Sequence, residues 1–187
     1  MKTIISMLVV LSIIGIVSGG GLSMINSWAN PLIAANKKAD TERAIFLVQP
    51  DGKSYEKVEA VKFELYKVFD AAQQPIGYAL PWEGNGFQGK IRMMIGLSED
   101  VNTITSIEVL EQVETPGLGT KVTEEPFTSQ FKDLTVDPDV AWVKGAPPTK
   151  ENEIQTITGA TISSKAIVAI VNDGMAKLKA ALPGGTK

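Results

Sequence analysis

Two residue types that carry much of protein chemistry, cysteine and histidine, do not occur in this chain of 187 residues. Without cysteine the chain forms no disulfide and holds no thiolate-ligated iron–sulfur cluster. Without histidine there is little basis for a zinc site, a Ser-His-Asp triad or histidine acid–base catalysis. A chain this poor in catalytic side chains is expected to carry out redox chemistry only with a bound cofactor.

Positive and negative charges nearly balance in this sequence. The net charge is −3, and no long basic run is present, so nucleic acid binding has little support. Asp133, Asp137 and Asp139 stand close together, but the glycine and the distal glutamate of an EF-hand loop are missing. We therefore interpret these aspartates as solvated loop charges and expect no metal site.

The N-terminal segment is the longest uncharged run, with no charged residue between Lys2 and Lys37. Residues 3–22 are long enough to cross roughly 30 Å of hydrocarbon as a helix. We predict a transmembrane anchor over residues 1–28, with the following domain on the extracytoplasmic side because the charged start of the chain favours the inside. A cleaved secretory signal, with Ser18-Gly19-Gly20 as its cleavage region, is the alternative.

The segment after the anchor, residues 29–50, is predicted to be a linker helix. Pro31 suits a helix start, and Pro50-Asp51-Gly52 forms a turn that ends the helix. Residues 51–187 then form one domain of ordinary size. Its segments 63–70 and 76–82 are predicted to form one hairpin, and segments 87–97 and 103–113 a second strand pair.

The C-terminal part of the domain is predicted to be helical. From Lys165 onward, apolar residues recur on one face of a 3.6-residue period, and Ser163 and Ser164 are the expected caps. A short helix is also expected near residues 127–134. The fold class is therefore α+β: an N-terminal transmembrane helix, then a mainly antiparallel sheet with a C-terminal helix packed on it. The helical apolar stripe consists of Ile167, Val171, Met175, Leu178 and Leu182.

The turn before this helix, within the run TGATISS, has two interpretations. Small residues and a helix N-terminus suit an anion such as phosphate, with the Thr161 hydroxyl at the edge of the site. An ordinary capped helix start explains the same spacing. Lys165 would then be a solvent-facing lysine, whereas in the first interpretation it offsets phosphate charge.

Two glycine-containing segments have comparable alternatives. Gly84, Gly86 and Gly89 match the dinucleotide-binding spacing, but a strand is predicted after them where a helix is required, so we reject that interpretation. In ETPGLG, Pro116-Gly117 predicts a type II turn. It is either a hairpin turn or a display of Leu118 and exposed amides to a flat ring. Trp142 is expected in the core rather than at such a ring.

The segments EGNGFQG, ETPGLG and TGAT, in this order, resemble the extracytoplasmic FMN-binding domain family. That family occurs in the G subunit of Rnf electron-transport complexes and the C subunit of the sodium-pumping NADH:quinone reductase. The resemblance makes residues 51–187 the FMN-binding domain and implies FMN joined through its phosphate to the Thr161 hydroxyl by a flavin transferase. It implies no catalytic residue and no metal ligand. The further cofactor-binding residues that it implies are Thr158, Gly159, Ala160, Ser163, Glu114, Thr115, Gly117, Leu118 and Gly119.

The function that the resemblance implies is electron transfer by a membrane-anchored subunit of an ion-translocating ferredoxin:NAD oxidoreductase of the Rnf type. Expected partners are the other membrane and iron–sulfur subunits, the transferase and the lipid bilayer. The short chain fits the Rnf G subunit better than the reductase C subunit. Where many relatives carry a histidine before the glutamate of ETPGLG, this chain has Gln112 and Val113. The alternatives are a flavin domain of the quinone reductase or of another extracytoplasmic reductase, and a non-redox anchored module.

Overall fold

The computed structural model describes residues 2–182, which divide into a first unit ending at Asp40 and a second beginning at Thr41. The first unit belongs to helix α1 (Lys2–Val48), which is apolar and long enough to cross a membrane. The helix continues through Pro31, so the prediction of a separate helix from about residue 30 is wrong. Proline removes one intrahelical hydrogen bond, but the residues on either side of it continue the ladder.

The second unit is organised around a six-stranded antiparallel sheet whose strand order follows the chain, from β1 to β6. The predicted hairpin is confirmed as β2 and β3, and the predicted second pair as β4 and β5. Short β1 and β6 extend the sheet at its two edges. The strands are β1 (Ser54–Lys57), β2 (Tyr66–Phe69), β3 (Pro75–Asn85), β4 (Lys90–Ser98), β5 (Thr103–Glu111) and β6 (Leu134–Thr135).

The stretch between β5 and the last helix contains more regular structure than its prolines suggest. A 3₁₀ helix (Gly119–Thr123), the one-turn helix α2 (Glu125–Thr128) and a second 3₁₀ turn (Ser129–Phe131) come first. The predicted short helix is therefore present but begins earlier and ends before residue 132. After β6, the strands β7 (Ala141–Val143) and β8 (Glu153–Gln155) form a small parallel pair.

Helix α3 (Thr161–Ala181) covers one face of the sheet, as the sequence predicts. Its stripe residues Ile167, Val171, Met175 and Leu178 are buried, and Leu182 packs against the same cluster. The sheet contributes alternate residues of β4 to this core, because successive side chains of a strand point to opposite faces. These β4 residues are Ile91, Met93, Ile95 and Leu97.

The other face of the sheet is covered by the last turns of α1. Ala44, Ile45 and Val48 are buried there and form a second cluster with Val68, Ala79 and Met94. The last carbonyl of α1 is also tied to the sheet, because the Thr105 hydroxyl donates to the Val48 oxygen at 2.9 Å. The C-terminal turns of α1 are thus part of the folded domain.

Gly96 is expected to be essential for this packing. A Cβ at this position would lie 2.6 Å from the Val48 carbonyl oxygen and 2.8 Å from its Cβ. Gly96→Ala should therefore push the end of α1 off the sheet and lower the free energy of unfolding by about 2 kcal/mol, as overpacking does. Denaturant unfolding followed by tryptophan fluorescence measures the change. Gly21→Ala, where a Cβ meets nothing within 4 Å, is the control, and equal midpoints for the two variants would contradict the prediction.

Candidate functional site

The N-terminus of α3 has no side-chain cap among the described residues. Ala160 occupies the N-cap position, and the helix begins at Thr161 rather than Lys165. Because the helix begins at Thr161, its first three amides have no partner within the helix, and the Ser164 amide is the first to donate to a helix carbonyl, that of Ala160 at 2.9 Å. The prediction that Ser163 and Ser164 cap the helix is wrong, because both lie inside the first turn and their hydroxyls bind elsewhere.

Ser164 holds the turn that precedes the helix. Its hydroxyl accepts the Ile157 amide at 3.1 Å and donates to the Ala160 carbonyl at 2.9 Å. The turn is closed by the Ala160 amide, which donates to the Ile157 carbonyl at 3.0 Å. Gly159 has φ of +86°, a backbone conformation that residues other than glycine rarely adopt. The TGAT segment is therefore a fixed turn whose shape is set before any ligand binds.

The two threonines of this turn differ in their surroundings. Thr158 is exposed, while Thr161 is half-buried at the first helical position. The Thr161 hydroxyl donates to the Ile157 carbonyl at 3.4 Å, the long limit of a hydrogen bond. Its oxygen lone pairs are not used by that weak bond, so the hydroxyl can react or bind without disturbing the turn.

The ETPGLG segment forms the type II turn that the sequence predicts. The Leu118 amide donates to the Thr115 carbonyl at 3.2 Å, and Gly117 has φ of +73°. The chain does not return as a hairpin strand, however, and enters the 3₁₀ helix at Gly119. The hairpin interpretation is therefore wrong, because Gly119 packs against Glu114 and Ser163 where a returning strand would move away.

Leu118 is displayed by this turn beside the TGAT segment. Its side chain is half exposed, and a Cβ added to Gly159 would lie 3.6 Å from its Cδ2 atom. A Cβ at Gly117 would meet nothing within 4 Å, so this side of the turn is open. Thr115 contributes to the turn through its carbonyl oxygen, which also accepts the Thr120 amide at 3.2 Å.

Glu114 joins the three glycine-containing segments. Its side chain is only 3% exposed, and one carboxylate oxygen accepts the amides of Phe87 at 2.8 Å and Gln88 at 3.0 Å. The other oxygen accepts the hydroxyl of Ser163 in the first turn of α3. A single buried carboxylate thus fixes the β3–β4 loop, the ETPGLG turn and the start of α3 relative to one another.

Two features of this site were not predicted from the sequence. The first is that the backbone amides of Phe87 and Gln88 donate hydrogen bonds to the Glu114 carboxylate. The residue in the sequence that could have indicated this contact is Gly86, because a Cβ there would collide with that carboxylate. The second is the contact of Lys165 with Trp142: the Lys165 Nζ atom lies 3.7 Å from the centroid of the Trp142 ring. Trp142 is 41% exposed, so the prediction that it belongs to the core is wrong.

The donor set of this site suits a phosphate attached to a flat apolar group. Unpaired amides at a helix start bind phosphate oxygens, and the dipole favours their negative charge. The exposed side chain of Leu118 offers apolar contact within reach of the same turn. The residues present therefore fit FMN, which combines a phosphate with a planar ring.

Comparison with known proteins places the site in a recognised family region. Residues 86–176 match the FMN-binding domain family. The G subunit of the ion-translocating oxidoreductase complex of Methanosarcina acetivorans is 39% identical over 55% of this chain and 52% of its own length. The G subunit of the Na(+)-translocating ferredoxin:NAD(+) oxidoreductase complex of Acetobacterium woodii is 39% identical over 47% of this chain and 42% of its own length.

A solved structure supports the fold. The crystal structure of NqrC from Shewanella oneidensis superposes with a TM-score of 0.57, at 24% identity over 71% of this chain and 66% of that chain. The chain spans about half the length of the Methanosarcina and Acetobacterium relatives. The matched region begins at Gly86, inside EGNGFQG, and contains ETPGLG, TGAT and most of α3. The chain is thus similar to the FMN-binding domain family over residues 86–176, just under half of its length.

Proposed function

We propose that this protein is a membrane-anchored electron-transfer subunit that carries FMN bound covalently, through its phosphate, to Thr161. The observation that carries the proposal is the uncapped start of α3, with Thr161 at its first position, inside a region of the FMN-binding domain family. Bound FMN supplies the redox chemistry that a chain without cysteine and histidine lacks.

Different residues of the site are proposed to bind different parts of FMN. The first three amides of α3 bind the phosphate, the small residues Gly159 and Ala160 let it approach the turn, and the Thr161 hydroxyl oxygen forms the ester bond to phosphorus. A phosphodiester keeps one negative charge, which the N-terminus of α3 stabilises. Leu118, with the turn glycines on both sides of it, contacts the ring. Glu114 and Thr158 are assigned to the site as supports of this arrangement.

The complex that this subunit serves is proposed to be of the Rnf type, an ion-translocating ferredoxin:NAD oxidoreductase. The names of the relatives at 39% identity support the proposal, since both are G subunits of ion-translocating oxidoreductase complexes. Its partners would be the other membrane and iron–sulfur subunits. A C-subunit role in a quinone reductase is the second candidate, because the similar proteins also include relatives named as C subunits of Na(+)-translocating NADH-quinone reductases.

The location proposed for the FMN domain is the extracytoplasmic side of the cell membrane. Helix α1 is apolar enough to span the bilayer, and the short charged start at Lys2 favours an N-terminus inside. Covalent attachment has a physical reason on that side, because a dissociated flavin would be lost from the cell. A dedicated flavin transferase would form the ester bond from a flavin dinucleotide: the Thr161 oxygen bonds to the flavin-side phosphorus, the pyrophosphate bond breaks, and a nucleoside monophosphate and the hydroxyl proton are released.

The proposal is tested on the full chain, exported and co-expressed with a flavin transferase whose activity is verified on another substrate. We expect the intact mass to increase by that of FMN less one water, with flavin fluorescence that survives denaturation. An unmodified mass would contradict the covalent assignment and favour a non-covalent binder or a non-redox anchored module. Co-purification from the native membrane with a ferredoxin-like, cysteine-rich subunit and a pair of integral membrane subunits would support the Rnf type.

A further inference from the structure

The contact of Lys165 with Trp142 is not explained by attachment of FMN to Thr161 alone. The Lys165 ammonium lies 3.7 Å from the centre of the indole ring, within the range of a cation–π interaction. Lys165 is half-buried, although lysine side chains usually extend into solvent. Across the described residues 2–182, no carboxylate forms an ion pair with it.

The position of Lys165 along α3 relates it to Thr161. The two residues are one helical turn apart, so their side chains are neighbours on the same helix face. Long helical side chains point back toward the N-terminus, which places the lysine stem over the turn that begins with Thr161. Strand β7 supplies Trp142, so the ammonium group is held in place by a second element.

A cation near a helix N-terminus is electrostatically unfavourable, because the helix dipole is positive there. The first turn of α3 contains no acidic residue that would compensate for it. Glu114 reaches the helix at Ser163, but its carboxylate already accepts the Phe87 and Gln88 amides and the Ser163 hydroxyl. Within the described residues, the charge of Lys165 therefore has an aromatic contact with Trp142 but no anionic partner, and a phosphodiester on Thr161 would supply one.

We propose that Lys165 is the counter-cation of the flavin phosphodiester on Thr161, and that Trp142 is a positioning residue which holds the Lys165 side chain. This inference rests on the proposed attachment at Thr161. In this assignment Lys165 contacts the phosphate, and Trp142 acts only by holding Lys165 in place. The cation–π contact limits the conformations of a flexible side chain, so less entropy is lost when the lysine meets the phosphate.

The test compares Lys165→Met with Lys177→Met, which removes an exposed charge near the other end of the same helix. In full-length protein at limiting transferase and low salt, we expect Lys165→Met to slow flavin attachment about threefold to fivefold, the scale of a partly exposed ion pair. The rate is followed by intact mass. Added salt should slow the wild type more than Lys165→Met. Lys165→Arg should restore most of the rate.

A second readout separates contact with the phosphate from recognition by the transferase. In the fully loaded protein, the ³¹P resonance of the phosphodiester should shift in Lys165→Met and not in Lys177→Met. Trp142→Leu should reproduce part of that shift, while Trp142→Phe, which keeps an aromatic face, should not. A slowed attachment with an unmoved resonance would overturn the inference, and so would equal rates in the two methionine variants. A wild-type protein without FMN would instead contradict the proposed function itself.

Discussion

Thr161→Ala is expected to abolish covalent flavin attachment and to leave the folded domain intact. The substitution removes the only oxygen that the proposed ester uses. Its structural cost is small, because the Thr161 hydroxyl makes one long bond of 3.4 Å and does not cap the helix. Alanine is also the better helix former. The change in the free energy of unfolding should stay within about 1 kcal/mol.

Intact mass and in-gel fluorescence of the denatured protein measure this prediction. Thr158→Ala tests which hydroxyl forms the ester: it removes an exposed hydroxyl that supports the same turn without forming the bond, so covalently attached flavin should still be detected. Thr161→Ser keeps a hydroxyl at the position and should retain attachment. A fluorescent band that persists in Thr161→Ala would place the ester on another residue. Loss of folding in that variant would mean that the threonine is structural.

The periodic parts of the fold were predictable from the sequence. The apolar stripe of α3 and the alternation in β4 each reflect one buried face, and burial on one face leaves a direct trace in the residue order. The type II turn at Gly117 was predictable for a similar reason, since positive φ strongly favours glycine. These are local properties, which do not depend on distant residues.

The helix start was mispredicted because long-range contacts decided it. Ser163 and Ser164 are good capping residues, and by local preference the helix would begin after them. In the structure one hydroxyl binds Glu114, far away in sequence, and the other stabilises the TGAT turn. The helix consequently begins at Thr161, and its first three amides have no partner within the helix. Local rules therefore predicted a helix start suited to phosphate beside Thr161, but they placed the first helical residue at Lys165 instead of Thr161.

The position of Trp142 was mispredicted for a comparable reason. A large aromatic residue between apolar neighbours is usually buried, which is why the core was the expectation. Strand β7 belongs to a short two-stranded pair rather than to the main sheet, and it leaves the indole ring at the surface beside Lys165. Sequence periodicity does not extend over a strand of this length.

Glu114→Ala is expected to destabilise the folded domain more than Thr161→Ala does. Three donors lose their acceptor, and two of them are backbone amides of the β3–β4 loop. Hydrogen bonds to a charged group contribute about 1.5–3 kcal/mol each, and water entering the loop would recover part of that. We expect the free energy of unfolding to fall by about 3 kcal/mol. Glu114→Gln keeps one acceptor oxygen and should cost about 1 kcal/mol.

Denaturant unfolding measures the stability, with Glu99→Ala, an exposed acidic residue, as the control. Amide hydrogen exchange tests the cause more directly. If Glu114 fixes the loop, exchange at the Phe87 and Gln88 amides should accelerate in Glu114→Ala, and amides in the centre of β4 should change only as global stability does. The same loosening should free the start of α3, because the Ser163 hydroxyl loses its partner. Unchanged exchange at Phe87 and Gln88 would mean that the carboxylate does not hold these segments together.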